Sequence, residues 1–287
     1  MRVVALISGG KDSTYNMMCA VADGHEIVAL ANMEPKGADE LDSYMYQTVG
    51  HQTITRYGEA MQLPLFRSHI RGTPRLQSKD YQVTPDDEVE DLFDLLVDIQ
   101  GSVKFDAIAA GAILSEYQTL RVLNICKRLD VQALTYLWQR NQRELLQEMI
   151  ECDVIAILIK VAALGLSPQK HLGQKLADIQ DHLLGMEDSY GCNPCGEGGE
   201  YETLTLDCPL FHQRIVLDEV ETVVVNDDTV APVAYLNPKR FHLEPKKGFD
   251  GRQSQFACLQ KYLDILTVSI SRSIHRKGLG SCQNFNE

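Results

Sequence analysis

An apolar run, Val3-Val4-Ala5-Leu6-Ile7, breaks off into Ser8-Gly9-Gly10-Lys11-Asp12-Ser13, and this junction limits what the chain can become. The run is long enough for a buried parallel strand. Two consecutive glycines then open backbone dihedrals closed to other residues, so a sharp turn is expected. Beyond Ser13, the positions Tyr15, Met18, Cys19 and Ala22 recur at helical spacing, and Gly24 stands where a helix C-cap belongs. Strand, glycine turn and helix in that order bring backbone N–H groups and the positive helix end to one point, where Lys11 adds a full charge. Such a point suits phosphate.

Spacing removes two common phosphate loops. The chain lacks GxxxxGK[ST], and after Gly10 the next glycine is Gly24, so the GxGxxG fingerprint is absent too. What remains, SGGKDS directly after a strand, closely resembles the PP-loop of the N-type ATP pyrophosphatases, which cleave ATP between the α and β phosphates. The resemblance implies an α/β fold: an N-terminal parallel-sheet domain of the HUP-like, adenine nucleotide alpha hydrolase type, with a smaller mixed α/β C-terminal domain. It also implies that Ser8, Gly9, Gly10, Lys11, Asp12 and Ser13 bind ATP. Lys11 then offsets developing charge, and Asp12 holds Mg²⁺ or shapes the loop.

The chain has 287 residues, 44% hydrophobic and 23% charged, enough to build one large domain or two modest ones. A formal net charge of −13 repels phosphate backbones, which disfavours a nucleic-acid partner. No run of about 18 apolar residues offers a membrane span, and the sequence opens directly on a core strand, so a cytoplasmic protein without signal peptide is expected. Eight scattered cysteines then read as reduced thiols.

Further along, apolar runs and helical periods alternate. Strands are expected over residues 25–33, 64–70, 106–111 and 154–161, with helices over 48–61 and 84–99, the latter opened by Thr84 as N-cap and Pro85 at the first turn. The loop after Ala110-Gly111 carries Ser115, Glu116, Tyr117 and Gln118 ahead of a helix containing Arg121. Ligands of open α/β sheets bind at the carboxyl ends of strands, so this loop shares a rim with SGGKDS. Its sequence, GAILSEYQTLRV, looks like the motif after the fourth strand in the diphthine-ammonia ligase branch of the family. A third stretch, Gly196-Glu197-Gly198-Gly199-Glu200-Tyr201-Glu202-Thr203, has the composition of a tight loop that presents carboxylates, with no core and no regular element. It resembles the substrate-side signature of the same branch. Short β-rich segments from Leu204 to Leu236 follow, suggesting a small covering sheet.

Together the three motifs imply domains at 1–130 (ATP-binding PP-loop) and 131–245 (substrate-binding). They imply a ligase that uses ATP to amidate diphthine, a modified histidine of translation elongation factor 2, with ammonia, through an acyl-adenylate and with release of AMP and pyrophosphate. Elongation factor 2 and ammonium are the implied partners, and ATP with Mg²⁺ the cofactors. Ser115, Tyr117, Gln118, Arg121, Glu197, Gly198, Gly199, Glu200 and Glu202 fall on the substrate side, with Glu200 beside Lys11 and Asp12 as catalytic candidates. A PP-loop tRNA-modifying enzyme that adenylates a base and delivers sulfur is the alternative, for which Cys192 and Cys195 could serve. A nucleotide-binding sensor without turnover is the third. With Cys208 and His212 those two cysteines also give C-x2-C-x12-C-x3-H, a zinc-like spacing, but the residues between lack a finger's apolar core and helix. From Lys246 the resemblance ends. This tail of 246–287 carries seven basic against three acidic residues. Phe256, Leu259, Leu263, Leu266 and Ile270 mark a docking helix, and disorder is expected from Gly278.

Overall fold

The computed structural model describes residues 1–37, 40, 43–76, 78, 81–246 and 253–280, with side chains to residue 273. Five parallel strands build the first sheet: β1 (Arg2–Leu6), β2 (Glu26–Glu34), β3 (Leu65–His69), β4 (Ala107–Ala109) and β5 (Gln132–Leu134), in the order β3-β2-β1-β4-β5. The connecting helices are α1 (Lys11–Ala22), α2 (Tyr57–Met61), α3 (Glu88–Ser102) and α4 (Glu116–Leu129). Central β1 has Val3, Val4 and Ala5 fully buried, because helices cover both sheet faces. Tyr15, Met17 and Met18 of α1 fill one core; Val89, Leu92, Leu96 and Ile99 of α3 fill the other. Strand order reverses at β1, which pairs with β2 on one side and β4 on the other. Loops after β1 and β4 therefore diverge and leave a crevice at the carboxyl ends.

A second sheet of four strands is antiparallel, with β6 (Ile155–Val161), β7 (Tyr201–Asp207), β8 (Gln213–Asn226) and β9 (Val233–Pro245) in the order β7-β6-β9-β8. Helices α5 (Gln142–Glu151), α6 (Pro168–His171) and α7 (Leu176–Tyr190) accompany it.

Three local outcomes differ from the sequence pattern. Where it predicts one helix over 48–61, a 3-10 turn spans His51–Arg56 before α2. The three-residue repeat sets Ile54 and Tyr57 on one side, both fully buried beneath the glycine turn. The cap of α3 is Asp87 instead of Thr84: Asp86 sits at φ 60, which interrupts the helix, and Asp87 Oδ1 accepts from Val89 N at 3.0 Å. The acidic stretch is a loop only to Glu200; Tyr201, Glu202 and Thr203 open β7, paired with β6.

The basic tail forms α8 (Gln255–Cys258) and α9 (Leu263–Gly280), with Leu259, Leu266 and Ser269 fully buried. Gln255 acts as a strand partner for Ile27, accepting from its N–H at 2.9 Å and donating to its carbonyl at 2.8 Å. Residues 278–280, within the stretch expected to be disordered, are helical; 281–287 lie outside the described residues.

Candidate active site

A cleft of about 220 Å³ opens where strand order reverses. Ser8, Lys11, Asp12 and Ser13 line one wall, Glu197, Tyr201, Glu202 and Thr203 the other, and Leu6, Met33, Met45, Leu92 and Val122 form an apolar end with Gln118 nearby. Stretches about 190 residues apart in sequence thus share one space.

The glycine turn is shaped from outside. Gly9 has φ +91, a conformation that favours glycine, and a Cβ there would press on the Ile54 Cδ1 methyl at 2.3 Å. Its carbonyl accepts from Thr205 N at 2.8 Å and lies 2.9 Å from the Tyr57 hydroxyl. Gly10 caps α1, whose Lys11 N donates to Thr203 Oγ1 at 3.1 Å. Ser13 Oγ and Thr14 Oγ1 each donate to the Gly10 carbonyl at 3.1 Å. Opposite, Gly111 presses against α1: a Cβ there would sit 2.6 Å from Asp12 C and 2.7 Å from Ser13 N. Gly111, whose only signal in the sequence is its place at the end of an apolar strand, fixes how closely the β4–α4 loop meets the glycine turn.

Lys11 is 2% exposed, and Nζ donates to Asp12 Oδ2 at 2.9 Å and to the Cys195 carbonyl at 2.5 Å. Burial opposes its charge, but Asp12 and the Tyr201 and Cys195 surroundings outweigh this and hold it above the ordinary lysine range. It is a fixed cation. Burial raises Asp12 despite Lys11 beside it, and Asp12 Oδ1 is buried with no hydrogen-bond partner among the described residues.

The three glutamates of the acidic stretch occupy different places. Glu200 is absent from the cleft lining. Its Oε1 accepts from Asn193 N at 2.7 Å and Nδ2 at 2.9 Å, and its Oε2 from Gly198 N at 2.7 Å, so the carboxylate holds its own loop together. Gly199 completes that turn at φ +82. Glu197 lines the cleft and accepts from Leu114 N at 2.8 Å, bridging to the β4–α4 loop. Burial and then the Asp12 charge push its carboxyl upward. Glu202 lines the cleft and pairs with Lys160 of β6 at 3.2 Å.

Of the β4–α4 candidates, only Gln118 reaches the cleft lining, donating to the Tyr44 and Met45 carbonyls at 3.3 Å. Ser115 caps α4, accepting from Gln118 N at 3.2 Å. Tyr117 donates to Glu88 Oε1 at 3.3 Å. Fully buried Arg121 stacks 3.4 Å from the Tyr117 ring centroid and donates to the Tyr117, Leu76 and Ser78 carbonyls. It braces the loop before α3. Cys195 donates to the Gln142 carbonyl at 3.3 Å, and burial pushes its thiol up to about 12, so it is not a thiolate at neutral pH. The seven described cysteines are unpaired, and among the described residues no group of three or more His, Cys, Asp or Glu side chains could hold a metal ion. No helix among the described residues is long and apolar enough to cross a membrane.

Comparison with known proteins gives two family matches and a set of relatives. A family model of the diphthamide synthase N-terminal domain matches residues 1–133, and one of the diphthamide synthase C-terminal domain matches residues 141–233. The mouse and human proteins named diphthine-ammonia ligase are each 56% identical over 250 residues, covering 86% of this chain and 94% of theirs. The fission yeast protein of that name is 51% identical over 241 residues, 83% of this chain and 39% of its own length.

Proposed function

The chain belongs to the diphthamide synthase family, and from that premise we propose that it is a ligase joining ammonia to the carboxylate of diphthine on translation elongation factor 2, driven by ATP. The observation that carries this is the cleft shared by the glycine turn and an acidic wall. A carboxylate resists amidation until one of its oxygens becomes a good leaving group. Attack of that oxygen on the α phosphate gives an acyl-adenylate and pyrophosphate; attack of ammonia on the acyl carbon then releases AMP.

In this assignment Ser8, Gly9, Gly10 and Ser13 surround the phosphates at the start of α1, where helices leave their leading N–H groups without internal partners. Lys11, already charged and desolvated, stabilises the charge that develops as pyrophosphate departs. The apolar end, with Met33, Met45 and Val122, suits adenine. Mg²⁺ is held by one or two carboxylates together with substrate phosphates, and the unpartnered Asp12 Oδ1 fits one such position. It would neutralise phosphate charge there. Domains at 1–130 and 131–245 then divide the work, nucleotide on the first and acceptor on the second. The protonated, engaged Cys195 thiol speaks against sulfur transfer.

The test is ATP-dependent incorporation of isotopically labelled ammonia into diphthine-bearing elongation factor 2, read by mass spectrometry. Incorporation into the modified histidine is expected. No incorporation by folded protein that binds ATP would leave a nucleotide sensor.

A further inference from the structure

Amidation by ammonium needs a base, and Lys160 lies in none of the sequence motifs. Lys160 and Glu202 stand directly opposite each other across the β6–β7 pair, with Nζ 3.2 Å from Glu202 Oε1, and Lys160 also pairs with Glu40. The lysine occupies one oxygen of Glu202. The other, Oε2, is buried with no hydrogen-bond partner among the described residues, although the side chain lines the cleft and is 25% exposed. The next residue, Thr203, holds the Lys11 amide, so this carboxylate stands one residue from the turn assigned to phosphate. Neither other glutamate is comparable: Glu200 is filled by three donors, and Glu197 is tied to the Leu114 amide.

We propose that Glu202 receives ammonium in the cleft and takes its proton, with Lys160 as the residue that positions it. Ammonium has four N–H donors and no lone pair, so it must lose a proton before it can attack. One N–H bond breaks, its proton passes to Glu202 Oε2, and the freed pair on nitrogen forms the C–N bond at the acyl carbon. The C–O bond to AMP breaks, AMP leaves with that electron pair, and the surplus amine proton leaves to solvent. Burial raises the Glu202 carboxyl above the ordinary range, opposed by Lys160, which makes it a better proton acceptor than an exposed glutamate. The charges facing it are Lys160 from β6, Glu40 after β2, Glu197 on the same wall, and across the cleft Lys11 and Asp12 of α1.

This rests on the proposed amidation, and the experiment separates the two. Wild type and Glu202→Gln are compared in acceptor-dependent ATP–pyrophosphate exchange, in amidation with ammonium, and in hydroxamate formation with hydroxylamine, which is uncharged at neutral pH. Glu202→Gln should lose roughly 100-fold or more with ammonium, yet stay within about threefold of wild type in exchange and with hydroxylamine. Its deficit with ammonium should shrink as pH rises and free ammonia accumulates. Equal loss with both nucleophiles, or no loss with either, would overturn the assignment; absence of exchange and amidation in wild type would overturn the function beneath it. Lys160→Gln removes the cation that lowers the Glu202 pKa, so the acid limb of the ammonium-dependent profile should move to higher pH, and Lys160→Arg should restore it. An unmoved limb would end the positioning role.

Discussion

The two walls of the cleft are built on opposite plans. On the wall proposed to hold phosphate the motif residues converge: Ser8, Lys11, Asp12 and Ser13 all line the cleft, because a strand, a glycine turn and a helix leave the backbone little choice. On the acidic wall the motif residues diverge. Glu197 bridges, Glu200 braces its own loop, and Glu202 meets a lysine from another strand. A motif whose function lies in the backbone predicts its own geometry, whereas one made of side chains on a loop acquires its roles from what packs around it.

That contrast can be broken from behind. The phosphate wall is backed by the tail, where Arg140 donates to the Ser269 carbonyl at 2.9 Å and to Glu148 at 2.7 Å, and Tyr15 of α1 donates to Glu148 at 3.1 Å. Truncation after Pro245 exposes the surface under Leu259 and Leu266 and leaves Arg140 with one partner fewer. At about 1.5–3 kcal/mol for each leucine, the loss should reach roughly 3–6 kcal/mol, read as a lower denaturant midpoint. An unchanged midpoint would show that the phosphate wall stands without the tail.

Lys11→Ala should cost about 2–4 kcal/mol of transition-state stabilisation, roughly 30- to 1,000-fold in kcat/KM, with the fold intact by circular dichroism. A loss confined to KM for ATP would make Lys11 a binding group only.

Glu200→Gln sharpens the difference within the acidic wall. It replaces an acceptor of three N–H groups with a side chain that itself carries donors, so stability should fall by about 1–3 kcal/mol. Glu202→Gln, with one lysine partner and an unpartnered oxygen, should melt close to wild type. Reversed melting behaviour would mean that the two glutamates have been assigned each other's roles.

The smallest expected effect is at the seam. Thr203→Val removes the acceptor of the Lys11 amide and should cost about 1 kcal/mol of stability. A KM for ATP that rises alongside would show that the acidic wall helps to shape the phosphate turn.

Much of the first sheet is legible in the sequence, because fully buried parallel strands are continuous apolar runs and Gly-Gly, Gly24 and Gly111 mark their ends. The second sheet is less so. A short apolar run such as residues 155–161 has the same pattern in a parallel or an antiparallel setting, and what decides is pairing with β7 and β9, remote in sequence. Arg121 shows the same limit for side chains: an arginine in a rim motif suggests an anionic ligand, yet here its two terminal nitrogens donate to three carbonyls and its plane lies over an aromatic ring. Lys160 carried no local signal, since a lone lysine within an apolar strand acquires meaning only from the carboxylates that fold opposite it.

In the proposed reaction the acceptor's carboxylate and the α phosphate of ATP meet in the cleft between these walls. Labelling the acceptor carboxylate with heavy oxygen and following the label through one turnover tests it directly. An acyl-adenylate requires one labelled oxygen to leave in AMP, with pyrophosphate unlabelled. Label in orthophosphate, with ADP as the nucleotide product, would contradict it.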